Sequence, residues 1–127
     1  MPDYLPDTHV FLWYATSSRT MRQETYQIMG DPTNRVFISV ASIWEMAIKQ
    51  GLGKLDPLDR EPEQVVEDSR FRLLDINSIH AKTAGRLPLL HRDPFDRMLV
   101  AQAQIEDLIL ITDDPKIKPY GVTTVRP

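Results

Sequence analysis

The sequence predicts an α/β protein in which a central parallel sheet of about four or five strands lies between two layers of helices. Short apolar segments alternate with helical segments long enough to serve as crossovers between parallel strands. The segment LILIT at 108–112 is continuously apolar, as a strand covered on both faces must be. Together these features predict a three-layer α/β/α sandwich, formed by residues 1–127 as a single domain.

The predicted elements follow in chain order. Strands are expected at 4–7, 36–39, 73–76, 108–112 and 122–125. Helices are expected at 9–15, 20–30, 40–50, 62–72, 77–86 and 93–108, where apolar residues recur at helical spacing. The intervening segment 51–63 is rich in glycine, proline and charge, which predicts a surface loop.

Individual residues mark several of these boundaries. Ser39 is expected to cap the helix at 40–50, and Gly51 to end it. Pro62 suits the first turn of the next helix. Pro6 weakens the first strand, because it has no N–H to donate to a neighbouring strand.

Composition narrows the function classes. No apolar segment approaches the roughly 18 residues that cross a bilayer, and the acidic start MPDYLPDTHVF is unlike a signal peptide. We therefore expect a cytoplasmic protein with no membrane partner. The absence of cysteine leaves oxygen and histidine as metal ligands, which favours a hard metal. A net charge of -3 argues against nucleic-acid binding by charge alone.

Two acids lie on otherwise apolar helix faces, where an unpaired charge is costly. Asp96 is one of them, and the other residues of its face are Leu99, Val100 and Ala103. Glu45 is the second, and its predicted face contains Ala41, Ile48 and Leu52. Pairing or metal binding would explain both positions.

Two further acids follow predicted strands. Asp7 follows the first strand, and Asp114 follows LILIT, so both belong at the carboxyl edge of the sheet, where ligands of such folds bind. Taken singly, such a residue is more often a turn residue or a helix cap than a ligand. Clustered carboxylates repel one another, so four acids at one edge predict bound Mg²⁺ or Mn²⁺ and phosphodiester hydrolysis.

Neighbouring residues have candidate supporting roles. Asp93 is expected to cap the helix that carries Asp96, and the Thr112 hydroxyl is a candidate contact for water or phosphate. The cations of Lys49, Arg92 and Arg97 are candidate contacts for a substrate backbone, although such a residue taken singly is more often a solvated charge.

The three histidines have no recognised metal-ligand spacing, so packing or surface roles are expected for His9, His80 and His91. His9 lies two residues beyond Asp7 and is therefore the one expected near the acids. Phosphate-loop, dinucleotide-binding and serine-hydrolase motifs do not occur in the sequence.

At these residues the chain resembles the PIN-domain ribonucleases, and especially the VapC-type toxins of prokaryotic toxin-antitoxin pairs. The similar segments are PDTHVFLW, SVASIWEMAIKQGLGKL, LPLLHRDPFDRMLVAQA and LILITDDPKIKPYGV, which together span nearly the whole chain. The family's acids correspond to Asp7, Glu45, Asp96 and Asp114, with Asp93 in a supporting role. Asp113 is the alternative to Asp114, which the T-x-D spacing from Thr112 favours.

The resemblance implies a PIN-like fold and endonucleolytic cleavage of RNA that depends on Mg²⁺ or Mn²⁺. It also implies a homodimer and a small cognate antitoxin protein that blocks the site. A phospho-receiver signalling domain is a rival, since it combines this length with a Mg²⁺-binding acid cluster. That function needs an acidic pair after the first strand, however, and this sequence offers one acid. A second rival is a PIN-like binding module without catalysis.

Overall fold

The sheet is parallel throughout and has five strands, as the sequence predicts. The computed structural model describes residues 2–127. Its strands are β1 (Asp3–Pro6), β2 (Arg35–Ser39), β3 (Arg72–Leu74), β4 (Ile109–Ile111) and β5 (Thr124–Val125). Their order across the sheet is β3-β2-β1-β4-β5, so β1 lies at the centre and pairs with β2 and β4.

Helices connect these strands and cover the sheet. Within the described residues they are α1 (Thr8–Ala15), α2 (Gln23–Gly30), α3 (Val40–Gly51), α4 (Pro62–Asp68), α5 (Ser78–Arg86) and α6 (Pro94–Glu106). A short 3-10 helix at Lys118–Tyr120 precedes β5. In the part of the chain that the structure describes, no helix combines the length and apolar character needed to cross a bilayer.

Alternating side chains of the central strands divide the core into two layers. Tyr4 of β1 and Ile111 of β4 belong to a cluster that also contains residues of α1 to α4. Leu5 and Leu110, the adjacent residues on the same strands, belong to a second cluster with α6. Because successive strand residues point to opposite faces, this division confirms the predicted sandwich.

Pro6 is accommodated in β1 because the strand's two edges end at different places. Pairing with β2 extends only to Tyr4, whereas pairing with β4 continues to Pro6 opposite Ile111. The next backbone N–H, that of Asp7, donates to Ile111 O at 3.0 Å. A proline at the end of the strand therefore leaves the β1–β4 ladder intact, and the β1–β2 ladder ends before it.

Several boundaries differ from the sequence prediction, including those of α2, which begins at Gln23 instead of residue 20, and of α6, which ends at Glu106 instead of residue 108. The helix predicted at 62–72 ends at Asp68, because Arg70 adopts a left-handed φ of 60°. The next strand therefore starts at Arg72 and ends at Leu74 instead of spanning 73–76. The last strand comprises only Thr124–Val125 instead of 122–125.

Candidate active site

The carboxyl ends of β1 and β4 form the floor of an acidic cleft. The two strands are neighbours, and the chain leaves them toward opposite edges of the sheet, which makes this a topological switch point. The cleft has a volume of about 500 Å³ and is lined by Asp7, His9, Trp13, Asp96, Asp113, Asp114 and Pro115, and we call it the acid cleft. The structure therefore brings three of the four predicted acids together, namely Asp7, Asp96 and Asp114.

Asp7 is buried and caps helix α1. Its Oδ1 accepts a hydrogen bond from the backbone N–H of Val10 at 3.0 Å, and its Oδ2 accepts one from the Thr112 hydroxyl at 2.6 Å. Burial raises the pKa of the Asp7 carboxyl above its usual 3.8, although both hydrogen bonds favour the charged form. A nearby cation would relieve this cost of ionisation.

Asp96 lies in the first turn of α6, whose N-cap is Asp93 as predicted. Asp93 Oδ1 accepts from the backbone N–H groups of Phe95 at 2.8 Å and of Asp96 at 3.3 Å. Burial, followed by the negative charge of Asp93, raises the pKa of Asp96 to about 7. Near neutral pH this carboxyl is therefore poised to release a proton when a cation binds.

His91 is the residue of this site that the sequence did not predict. Its side chain is buried, and its Nε2 lies 2.9 Å from Asp96 Oδ2 and 3.0 Å from Asp114 Oδ2. The ligand atoms of these three residues all lie within 4.8 Å of one another. The only signal in the sequence was the position of His91 two residues before the cap of α6, which does not determine where the ring points.

The pKa of Asp114 is shifted in the opposite direction from that of Asp96. Burial opposes ionisation of Asp114, but hydrogen bonds from the backbone N–H of Lys116 and from His91 hold its pKa below 3.8. Asp113 also lines the acid cleft, yet Asp114 is the residue that contacts His91. Two adjacent carboxyls with opposite pKa shifts therefore share one histidine.

Glu45 is buried on α3, but with different neighbours from those predicted. Ile48 and Leu52 are 38% and 63% exposed, so the second half of the predicted apolar face is wrong. The residues of α3 buried with Glu45 are Ala41, Ser42 and Met46. Its charge is paired instead with Lys49, whose Nζ lies 2.9 Å from Glu45 Oε2.

One contact connects the Glu45 turn of α3 to the acid cleft. The Thr8 hydroxyl donates to Ser42 Oγ at 2.9 Å, which joins the residue after Asp7 to the residue one turn before Glu45. Within residues 2–127, Glu45 is not part of the close group formed by His91 and its two acids. The structure thus places Glu45 outside the lining of the acid cleft and pairs it with Lys49.

Thr112 was a candidate contact for water or phosphate, but in the structure its hydroxyl contacts Asp7 instead. Thr112 is fully buried. Its hydroxyl donates to Asp7 Oδ2 and accepts a hydrogen bond from the backbone N–H of Asp114 at 3.2 Å. Thr112 therefore joins two of the acids and has no free surface for water or phosphate.

Arg97 was a candidate contact for a substrate backbone, but in the structure its guanidinium donates to backbone carbonyls of the protein. Its Nη2 donates to Ala84 O at 2.9 Å and Leu87 O at 3.0 Å, and its Nη1 donates to Pro88 O and His91 O, both at 3.2 Å. These carbonyls end α5 and continue into the segment that carries His91. Arg97 holds that segment against α6, and both of its Nη atoms donate to these carbonyls.

The chemistry of the acid cleft fits a hard divalent cation. Asp7, Asp96 and Asp114 present carboxylate oxygens, which Mg²⁺ and Mn²⁺ prefer, and the protein has no cysteine to favour a softer metal. The charges of Asp7 and Asp114 both raise the pKa of Asp96. A cation among these groups would offset their repulsion.

Comparison with known families gives one decisive match. A family model described as the PIN domain matches residues 4–122 of the chain. The protein belongs to the PIN-domain family. A comparison with curated protein sequences finds no match.

Solved structures with the same fold extend over nearly the whole PIN domain. VapBC2 from Rickettsia felis, bound to a DNA fragment from its promoter, gives a TM-score of 0.72 at 16% identity and covers 98% of both chains. DNA-bound VapBC from Salmonella typhimurium gives 0.67 at 18% identity and covers 99% of this chain and 98% of that one. A toxin–antitoxin complex from Klebsiella pneumoniae gives a TM-score of 0.59 at 21% identity and covers 96% of this chain and 95% of that one. At these identities the similarity shows the fold.

Membership of the PIN-domain family supports a nuclease as the general class of the protein. The match also separates the chain from phospho-receiver domains. Those domains need an acidic pair directly after the first strand, whereas here Asp7 stands alone after β1 and Asp96 comes from a helix.

Proposed function

We propose that this PIN domain is a cytoplasmic endoribonuclease that depends on Mg²⁺ or Mn²⁺ and acts as the toxin of a toxin–antitoxin pair. The observation that carries the proposal is the convergence of Asp7, Asp96 and Asp114 in the acid cleft at the switch point of the sheet. Side chains from three separate parts of the chain line that cleft together.

The acids have distinct tasks in this proposal. A bound divalent cation would polarise the scissile phosphate, promote deprotonation of a water molecule and neutralise the leaving oxygen. Asp7, Asp96 and Asp114 would hold the cation, with Asp7 oriented by Thr112 and Asp96 fixed by the cap that Asp93 provides. The cleft that these residues line is open to solvent, which would give a strand of RNA access to the cation.

Glu45 is retained as the fourth acid of the proposed site. The hydrogen bond between Thr8 and Ser42 joins its turn of α3 to the residue after Asp7, which supports this assignment. Lys49 compensates the charge of Glu45 in the metal-free protein. When a cation takes over that compensation, the Lys49 ammonium becomes available for a phosphate of the substrate.

Substrate binding would rely on local cations. Arg92 is exposed one residue after His91, and the Lys49 side chain is 38% exposed beside Glu45. The net charge of -3 makes these cations and the bound metal the main attractions for a phosphate backbone. Unpaired regions of RNA fit an open cleft better than a regular duplex does.

Two partners belong to the proposal. The similar solved structures from Rickettsia felis, Salmonella typhimurium and Klebsiella pneumoniae are toxin–antitoxin complexes or carry the VapBC name, which supports a small cognate antitoxin. An open groove of about 770 Å³ lies between α1 and residues 54–59 and shares Trp13 with the acid cleft. An antitoxin segment in this groove would reach the acid cleft. The second partner is another copy of the chain, and light scattering would test this proposed homodimer.

The decisive experiment is a cleavage assay on structured RNAs with Mg²⁺, with Mn²⁺ and with chelator. The Asp96→Asn variant removes one acid of the cleft, and Asp59→Asn is the matched control because the Asp59 side chain is 90% exposed. We expect metal-dependent cleavage by the wild type and the control, and none by Asp96→Asn. Cleavage that survives both chelation and Asp96→Asn would refute the proposal. Absence of cleavage under every condition would favour a binding module without catalysis.

A further inference from the structure

His91 contacts two acids that come from different parts of the fold. Asp96 belongs to the first turn of α6, and Asp114 follows β4. The single Nε2 atom of His91 lies at hydrogen-bonding distance from one oxygen of each, at 2.9 and 3.0 Å. The ring is buried among these groups, so the contact is not an incidental surface approach.

The other ring nitrogen determines which form of His91 makes this contact. The backbone N–H of Asp93 donates to His91 Nδ1 at 3.3 Å, so Nδ1 accepts through its lone pair. In the neutral ring the hydrogen must then be on Nε2, directed at the two carboxyl groups. An Nε2 that carries hydrogen has no lone pair to offer, so in this arrangement His91 is a donor and not a metal ligand.

The backbone of His91 is fastened on both sides. Its carbonyl accepts from Arg97 Nη1 at 3.2 Å, and its N–H donates to the Tyr120 hydroxyl at 2.9 Å. The Tyr120 hydroxyl in turn donates to Pro88 O at 2.7 Å. Contacts from α6 and from the 3-10 helix thus fix the place from which the ring reaches the acids.

We propose that His91 is a positioning residue of the metal site. Its Nε2–H holds the Oδ2 atoms of Asp96 and Asp114 on one side and leaves Asp96 Oδ1 for the cation. This inference rests on the proposed function, because it assigns a role toward the cation that the acids would bind. Partners that orient metal ligands in this way typically contribute about 10- to 100-fold to metal affinity.

The test is the affinity for Mn²⁺, measured by titration with electron paramagnetic resonance detection of the free ion, which needs no RNA and no turnover. In His91→Gln the amide nitrogen reaches the position of Nε2, whereas the shorter His91→Asn side chain does not. These two variants are therefore matched in chemistry and differ in reach. His91→Phe keeps the ring volume and removes both nitrogens.

We expect His91→Gln to bind Mn²⁺ within about 3-fold of the wild type, and His91→Asn and His91→Phe to bind about 10- to 100-fold more weakly. If His91→Phe does not fold, the comparison of Gln with Asn decides alone. Equal Mn²⁺ affinity of His91→Asn and the wild type would overturn the positioning role. Asp96→Asn tests the proposed site separately, because it should abolish binding even if His91 has no role.

Pulsed electron paramagnetic resonance of the Mn²⁺-loaded wild type provides a second criterion. A positioning residue leaves no directly coordinated nitrogen in the spectrum. A strong ¹⁴N coupling that disappears in His91→Gln would show that His91 is a ligand, which would overturn this inference and leave the metal site intact. Failure of the wild type to bind Mn²⁺ would overturn the proposed function and this inference together.

Discussion

The Thr112 hydroxyl donates a hydrogen bond of 2.6 Å to Asp7 Oδ2, joining residues that lie 105 positions apart in the chain. Thr112 directly follows β4, and Asp7 is the N-cap of α1. One buried contact therefore connects the two strand ends at the switch point, and it orients an acid of the proposed metal site without contacting a substrate.

Replacement of Thr112 by valine removes this donor with little change in shape. The Asp7 carboxyl then keeps only the Val10 N–H, so its charged form becomes less favourable and its pKa rises further. We expect a loss of about 1–3 kcal/mol in the free energy of unfolding at pH 7, measured by urea denaturation. Thr123→Val, at an exposed position, is the control, and equal effects of the two substitutions would contradict this role.

Arg97 and Arg92 provide a matched pair of arginines with different expected roles. Arg97→Ala leaves the carbonyls of Ala84 and Leu87 without their charged donor, and we expect it to lower the free energy of unfolding by at least about 2 kcal/mol. Arg92→Ala at an exposed site should stay within about 0.5 kcal/mol of the wild type. Denaturant unfolding of both variants measures the difference, and similar stabilities would disprove the fastening role of Arg97.

RNA binding should depend on Arg92 but not on another exposed arginine that serves as the control. Measured in chelator to prevent cleavage, Arg92→Ala should lower the slope of log affinity against log salt by about 0.7, the value for one phosphate contact on a single strand. Arg19→Ala, an exposed arginine in the α1–α2 connection, should leave the slope unchanged. A slope that Arg92→Ala does not alter would remove Arg92 from the proposed substrate surface.

The metal-free protein should lose stability as pH rises from about 4 to about 7. Asp96 has a folded-state pKa of about 7, against 3.8 for an ordinary aspartate, so between these values the folded state binds a proton that the unfolded state has released. Asp7 shifts in the same direction. The stability that these two groups contribute is therefore fully present below their unfolded pKa and is lost as pH rises through their folded pKa.

Urea denaturation across this pH range, in chelator, measures the effect. Asp96→Asn should reduce the slope of the free energy of unfolding against pH, and we attribute the slope that remains to Asp7. Asp93→Asn keeps a good N-cap but removes the charge that raises the pKa of Asp96, so the slope should end at lower pH. Identical profiles for the wild type and Asp96→Asn would show that Asp96 does not titrate as described.

Lys49 and Glu45 should behave as a coupled pair. Lys49→Met leaves the buried Glu45 charge without its partner, and we expect it to lower the free energy of unfolding by about 1–3 kcal/mol. The loss is smaller than for a fully buried pair because Lys49 is partly exposed. The double variant with Glu45→Gln should recover most of it. If Glu45 is a metal ligand, Mn²⁺ should stabilise Lys49→Met more than the wild type, and equal stabilisation would exclude it.

The sequence predicted best those features that local spacing determines. The apolar stripe of α6 places Asp96 beside Leu99 and Val100, which are fully buried in the structure. The same method failed for α3, because tertiary packing leaves Ile48 and Leu52 exposed although their spacing is helical. A period in the sequence identifies a face but does not determine how far the neighbouring elements cover it.

Long-range contacts explain what the sequence did not reveal. The ring of His91 contacts Asp114, 23 residues away, and its backbone is held by Arg97 and Tyr120, six and 29 residues away. No local pattern records such contacts. Arg97 looked like an exposed cation beside the acids for the same reason, since its carbonyl partners adjoin it only after folding.

The most direct test of the central claim is anomalous diffraction from crystals soaked with Mn²⁺. The claim is that Asp7, Asp96 and Asp114 bind a divalent cation together. We predict an anomalous peak in the acid cleft, at bonding distance from a carboxylate oxygen of each of the three residues and absent from Asp96→Asn crystals. No peak in the cleft of the wild type, with the three carboxyls still engaged only by Thr112, His91 and backbone N–H groups, would contradict the account.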